Sequence, residues 1–359
     1  MKSKVKSRAN TSASTTKKFS GRELVPKIQE LIDDENYQLA EKFTKQALEL
    51  EPKNPKLLLQ AAIVKFEMGK PDPAIMYLKR CIKIEPEEGH EKYLYLGQMS
   101  TEHEAIKYFE KGIHILKKMI DKSSIDTELA DYKRKVAEAY ISMTEIYLSD
   151  LCFENDAEQR CENYIDLGIK TDPTCPVLYQ TMASVRMSQN RPEEAKSALV
   201  HSISLWKDCE LGSPQIPSYE NRLALARLLI ECLLLDDCLS LLEAMQKEDD
   251  QTVDLWYLYG WIYFIQGEQI LDNGGDVGGG DEEEIKELWL ESAECLEKAL
   301  KIASFGQYCD QGVVEHCSQL VGEIYSRYSK QSMQDMETNG DGIEEEWQTD
   351  SEQEDGMEL

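Results

Sequence analysis

Five histidines, ten cysteines and 68 carboxylates are the groups in this 359-residue chain whose types and spacing could do chemistry. Two histidines begin as a zinc-protease helix begins, His90-Glu91 and His103-Glu104. That chemistry needs a second histidine four residues on, so that one helix face holds the metal while the glutamate acts as base. Leu94 and Lys107 occupy those positions, so neither pair holds zinc in this way. The other histidines, at 114, 201 and 316, have no paired Cys/His cluster around them. No CxxC pair, GxSxG elbow or P-loop lysine occurs. The residues predict a protein that is not an enzyme and carries no metal or cofactor.

The carboxylates remain. Against 40 Lys and Arg they give a formal net charge of −28. A surface this negative repels phosphate backbones, which excludes direct nucleic-acid binding by the folded body. The same field steers a strongly basic protein toward it. The longest apolar run, Leu223 to Leu235, is broken by Arg227 and Glu231 and is too short to span a bilayer, so no membrane contact is expected. Cys81, Cys161, Cys238 and Cys295 sit in helical apolar patterns, as small buried thiols do, which predicts a reducing compartment, cytoplasmic or nuclear.

The elements that must position these charges show themselves as a repeat. Ala40, Ala47 and Pro52 recur 34 residues later as Ala74, Cys81 and Pro86. The small residues let two helices cross closely, and the proline ends the second helix and sets the next turn. Tyr93-x2-Leu96-Gly97 with Ala105, Phe109 and Gly112 opens a third copy with a short inner turn. A fourth starts at Tyr140-x2-Met143-Thr144-x2-Tyr147 and closes at Cys161, Gly168 and Pro173; Tyr179, Met182, Ala183, Ala195 and Leu199 mark a fifth. Leu225, Ala226, Leu229, Cys238 and Leu242 mark a sixth, and Trp256-x2-Tyr259-Gly260-x2-Tyr263 a seventh, whose partner helix is expected over 288–302. A last amphipathic helix near 312–328 caps the open end.

The predicted architecture is therefore all-α: a tetratricopeptide-repeat solenoid of about seven helix pairs plus a capping helix, over residues 21–330. It lies between a basic disordered tail (1–20, six cations and no acid) and an acidic disordered tail (331–359, eleven acids and no base). An acidic glycine-rich loop is expected over 272–284. It lacks the ligand pattern of a calcium loop.

Solenoids bind along the inner groove that the first helix of each pair lines. The second, fifth, ninth, twelfth and thirteenth positions of each repeat face it. They read Phe66, Glu67, Glu91, Glu102, Glu138 and Glu145, then Glu220, Glu231, Asp254, Tyr257, Trp261 and Phe264. An acidic strip with aromatic rings suits an extended Lys/Arg-rich segment, through charge-assisted hydrogen bonds and cation–π contacts. The reverse specificity is absent. A carboxylate clamp for acidic chaperone tails needs Lys at the fifth position, where Leu59, Leu94, Ile141, Gln180, Leu223 and Tyr257 stand.

The basic Ser/Thr-rich N-terminal tail, the degenerate repeats, the segment DLWYLYGWIYFIQGE (254–268) and the acidic tail with EEEW (344–347) together resemble the dedicated assembly chaperones of large-ribosomal-subunit protein four. The resemblance covers essentially the whole chain. It implies a solenoid that captures a newly made basic ribosomal protein by its long internal loop, shields it, and escorts it to the nucleus and the pre-60S ribosome. The glycine-rich insertion departs from that pattern. The N-terminal lysines suggest a nuclear import receptor as a further partner, and Thr349 and Ser351 have acidophilic-kinase spacing. The alternative is a general tetratricopeptide scaffold subunit of a multiprotein complex, which needs no acidic groove.

Overall fold

A computed structural model describes residues 21–210, 212–273, 279–306 and 310–328. The two tails lie outside the described residues, as do Thr349 and Ser351. The described residues form fifteen α-helices and no strand. They pair as α1 (Gly21–Asp33) with α2 (Tyr37–Leu50), α3 (Pro55–Glu67) with α4 (Pro71–Ile84), and α5 (Glu91–Gln98) with α6 (Glu102–Ile120). Next come α7 (Asp126–Leu148) with α8 (Ala157–Thr171), and α9 (Pro176–Ser188) with α10 (Pro192–Ser204). The last pairs are α11 (Tyr219–Glu231) with α12 (Leu235–Glu248), and α13 (Val253–Asn273) with α14 (Gly279–Ser304); α15 (Gln311–Arg327) follows unpaired. The chain divides into two compact units at Ile216/Pro217, so α1–α10 belong to the first and α11–α15 to the second.

The repeat has a local cause in the turn inside four of the seven pairs. Glu35, Gly69, Asn190 and Leu233 all take a left-handed conformation, with φ of 57°, 69°, 57° and 57°. In each case the next amide reaches back five residues to a helix carbonyl: Asn36 to Leu31, Lys70 to Lys65, Arg191 to Arg186 and Leu234 to Leu229, at 2.8–2.9 Å. This cap satisfies carbonyls left open at the helix end and reverses the chain. Only Gly69 occupies it without a Cβ penalty.

A second device explains the aromatic residue near the start of several repeats. The Tyr93 hydroxyl donates to the Pro86 carbonyl at 2.7 Å, and that of Tyr179 to Pro173 at 3.0 Å. The Trp256 indole donates to the Asp250 carbonyl at 2.7 Å. Each ring locks its helix to the turn before it. The small positions act in the same way: Cys81 donates to the Pro55 carbonyl at 3.4 Å, and Ser202 to Pro176 at 2.9 Å, both across 26 residues. Ala40, Ala47, Ala74, Ala105 and Ala195 are fully buried where the paired helices cross.

In the second unit, α13 approaches α14 through glycines. A β-carbon on Gly260 would lie 2.6 Å from Leu296 Cγ, and one on Gly267 would collide with the Trp289 indole nitrogen. Trp289 is 1% exposed and donates to the Phe264 carbonyl at 3.1 Å, and Ser292 donates to that of Gly260 at 2.7 Å.

Two boundaries differ from the sequence expectation. The partner helix of the seventh pair starts at Gly279, two and a half turns before residue 288, so the loop expected over 272–284 is helical at both ends; 274–278 lie outside the described residues. Acidic side chains at 282–284 favour the positive end of the helix dipole, which offsets the poor helix propensity of the glycines before them. The fourth pair opens at Asp126, about four turns before Tyr140.

Candidate functional site

The first helices of successive pairs in the first unit place a run of acidic and aromatic side chains side by side. Phe66 and Glu67 close α3, and the half-buried Phe66 ring meets Tyr95 of α5 edge-on at 5.7 Å between centroids. The Tyr95 hydroxyl is held above its usual pKa by burial, then by the charges of Glu67 and Glu91, so these carboxylates lie around one ring. Tyr37, at the start of α2, is raised too, by burial and then by Glu67. Glu91 opens α5 beside His90, with 3.6 Å between its Oε2 and His90 Nδ1.

His90 is 3% exposed, and neither ring nitrogen has a hydrogen-bond partner. Its ring stands edge-on to Tyr132 of α7 at 6.2 Å. Burial pushes its pKa below the ordinary value, Glu91 and Asp131 pull it up, and Lys135 pushes it down. The imidazole is therefore neutral at pH 7 and does not cancel the Glu91 charge.

Glu138 and Glu145 follow on α7, seven residues apart and so on one helix face. Both stay open to solvent, yet partial desolvation holds each carboxyl above the usual carboxylate range. For Glu145 that is the sole cause. For Glu138, Arg134 and Lys135 pull the other way. Those cations are engaged elsewhere: Arg134 donates to Asp172 at 2.8 Å and Lys135 to Asp131 at 2.7 Å. Glu138 and Glu145 thus make one exposed acidic face of α7. With Glu67 and Glu91, they make four carboxylates on α3, α5 and α7 without a Lys or Arg ion pair among the described residues.

Glu102 does not belong to this strip. It opens α6, the second helix of its pair, with φ of 50°. The reason is the length of α5, which spans eight residues and ends before the twelfth repeat position is reached.

The second unit forms its own cluster. Asp254 in the first turn of α13 is ion-paired with Arg227 of α11. Glu220, Arg227 and Glu231 share one face of α11, with both acids exposed, so this face is mixed in charge. The Tyr257 hydroxyl is 3.0 Å from His316 Nδ1 on α15, and the half-buried Trp261 ring lies 4.9 Å from the same imidazole. Phe264 stands apart from the expected surface. It is 8% exposed and lies parallel between Trp261 at 5.9 Å and Trp289 at 5.3 Å. Gly267 leaves the space into which Trp289 slides, and that draws Phe264 into the α13–α14 packing.

Sequence reasoning missed Tyr37, His90, Tyr95, Asp131, Tyr132, Arg227 and His316. Tyr95 carried a signal, because it lies four residues beyond Glu91 on the same helix face. His316 carried none, since the capping helix has no repeat register to count from. Among the described residues no group of three or more His, Cys, Asp or Glu is placed to hold a metal ion, and no helix is long and apolar enough to cross a membrane.

Seven consecutive helix pairs, the first four starting at Gly21, Pro55, Glu91 and Asp126, together with the recurring left-handed caps, define a tetratricopeptide-repeat protein. The tetratricopeptide-repeat family model matches residues 31–93. A probable assembly chaperone of rpl4 from Schizosaccharomyces pombe is 36% identical over 274 residues, which are 76% of this chain and 77% of that one. Its namesake in Emericella nidulans is 31% identical over 328 residues, 85% of this chain and 82% of that one. A solved structure of the assembly chaperone of RpL4 (Acl4), residues 1–338, aligns with a TM-score of 0.64 at 30% identity, covering 72% of this chain and all of that one. The chain belongs to the family of rpl4 assembly chaperones.

Proposed function

We propose that this protein is a dedicated, non-catalytic chaperone of large-subunit ribosomal protein four. It holds a basic segment of the newly made client against the inner face of the first unit and escorts it from cytoplasm to nucleus and to the pre-60S ribosome. Beside the family relationship, the observation that carries the reading is the set of carboxylates at Glu67, Glu91, Glu138 and Glu145. None of the four has a Lys or Arg ion pair among the described residues, and desolvation holds the carboxyls of Glu138 and Glu145 above the usual range. A guanidinium placed there supplies charge-assisted hydrogen bonds to groups whose desolvation is already partly met. Tyr95, Phe66 and Tyr132 offer ring faces to the same cations. In the second unit, Asp254, Tyr257 and Trp261 supply a further contact zone, with Glu220 and Glu231 beside it.

A free basic ribosomal protein is attracted to any RNA, so its charge must be covered until delivery. Ribosomal RNA, with its higher charge density, competes the client away at the destination. An import receptor that reads the N-terminal lysines would carry the loaded pair. The test is mass spectrometry of what co-purifies with the full chain from cells. A single stoichiometric partner, ribosomal protein four, supports the chaperone. A large fixed complex without it supports a general scaffold and defeats the proposal.

A further inference from the structure

The second unit carries Trp256, Trp261 and Trp289 among its described residues, and the chain itself supplies a cation to two of them. Lys298 Nζ lies 3.4 Å from the Trp256 ring centroid, and the Arg327 guanidinium carbon 4.7 Å from that of Trp289. Both of those rings are buried. Trp261 is half-buried, and among the described residues no Lys or Arg stands over it. The face of an indole is electron-rich and attracts cations. Trp261 is therefore the tryptophan of this group left open to a cation from outside the chain.

The ring is also held in place. It lies parallel to Phe264, with 6° between planes and 5.9 Å between centroids, and Phe264 lies parallel to Trp289, with 9° and 5.3 Å. The three rings form a parallel series with Arg327 over Trp289 at one end and Trp261 at the other. From α15 the His316 imidazole stands 4.9 Å from Trp261 at 60°. Its Nδ1 shares a hydrogen bond of 3.0 Å with Tyr257 Oη. Tyr257 and Trp261 are four residues apart and so share one face of α13, and His316 bridges them.

Charge decides the class of ligand. Asp254 lies three residues before Tyr257 on the same helix face and is ion-paired with Arg227 of α11. Glu220 and Glu231 share the face of Arg227 on that helix. An anion would meet three carboxylates around Arg227, whereas a cation is drawn in by them. Between the two side-chain cations, a guanidinium is flat, weakly hydrated and stacks on aromatic faces, while an ammonium is a compact, strongly hydrated point charge. The chain already makes such a contact between Arg327 and Trp289.

We propose that Trp261 is an arginine site: an arginine of the basic client lays its guanidinium on this ring, and His316 and Tyr257 are positioning residues that fix the ring for it. This rests on reading the protein as a binder of basic segments. The site gives the second unit a preference for arginine over lysine at equal charge, a selectivity that net charge alone does not supply.

The test is the affinity of the full chain at low salt for a labelled decapeptide of alternating Arg and Gly and for its Lys counterpart, read by fluorescence anisotropy. The parent should hold the arginine peptide tighter, and Trp261→Leu should cut the ratio of the two affinities about twofold to fivefold. Tyr257→Phe and His316→Leu break the same hydrogen bond, so each should lower the ratio and the double variant should lower it no further. His316→Asn, whose amide donates or accepts near the place of Nδ1, should restore it. Tyr257→Phe removes one hydroxyl and keeps the test open if Trp261→Leu fails to fold. A merely structural role would weaken both peptides alike and leave the ratio at its parent value, and that result overturns the arginine site. So does equal affinity of the parent for the two peptides. If neither peptide binds the parent, the basic-segment reading falls, and the arginine site with it.

Discussion

Gly260→Ala and Gly322→Ala make the same chemical change on two helices of the second unit and should move stability in opposite directions. On α15, a β-carbon at Gly322 meets nothing within 4 Å. Only helix propensity then acts, which favours Ala by about 1 kcal/mol. At Gly260 the added carbon would lie 2.6 and 2.8 Å from Leu296 Cγ and Cδ2 and 3.0 Å from the Ser292 carbonyl oxygen. The leucine can rotate, but the carbonyl belongs to α14 and moves only with the helix. Overpacking of this kind costs about 1–3 kcal/mol. Weakening the 2.7 Å bond from Ser292 to the Gly260 carbonyl costs about 1 kcal/mol more. Set against the same propensity gain, the net loss is about 1–3 kcal/mol. Urea unfolding followed by tryptophan fluorescence is the assay, since Trp256, Trp261 and Trp289 lie on α13 and α14. Gly260→Ala should lower the midpoint and Gly322→Ala raise it. If Gly260→Ala stabilised as much as Gly322→Ala, the close helix approach would be wrong.

Leu233→Gly should stabilise by about 1 kcal/mol in the same assay, because it relieves a left-handed leucine at the α11–α12 turn and removes an exposed apolar side chain. Glu145→Gln should cost no stability at pH 7 and gain about a few tenths of a kcal/mol. The Glu145 carboxyl holds its proton longer when folded than unfolded, so its contribution is fully present below the ordinary value of 4.5 and is lost as pH rises through the folded pKa. Denaturation midpoints against pH should show that decline in the parent and a flatter profile in the variant. Among the nine cysteines of the described residues, native thiol labelling should strike the exposed Cys152 first. Cys161, pushed up to about 11 by burial, and Cys238 and Cys295, pushed up to about 12, should resist until the helices open.

The helix pairs were legible because the repeat constrains buried positions tightly. Ala40 and Ala74, or Ala47 and Cys81, occupy identical crossings, and a larger residue at any of them would separate a helix pair. Boundaries set by single turns were less legible. The eight-residue α5 moved Glu102 to the next helix, and the early start of α14 narrowed the glycine-rich loop. At the site, carboxylates on long first helices, such as Glu138 and Glu145, were readable from register alone. What register cannot express is the company each charge keeps. Asp254 faces Arg227, Phe264 is drawn inward by a glycine three residues on, and His90 loses its charge to burial. Those outcomes depend on pairs of helices distant in sequence, and only the packed structure brings them together.

The most direct test of client capture by the acidic face is the affinity of the full chain for the basic internal loop of ribosomal protein four, titrated across ionic strength. It should be measured for the parent and for a chain carrying Glu67→Gln, Glu91→Gln, Glu138→Gln and Glu145→Gln. Capture by unpaired carboxylates predicts binding that weakens steeply as salt screens the charges, and a variant at least about tenfold weaker with a shallower salt dependence. An affinity insensitive to salt, and equal in the parent and the fourfold variant, would contradict it.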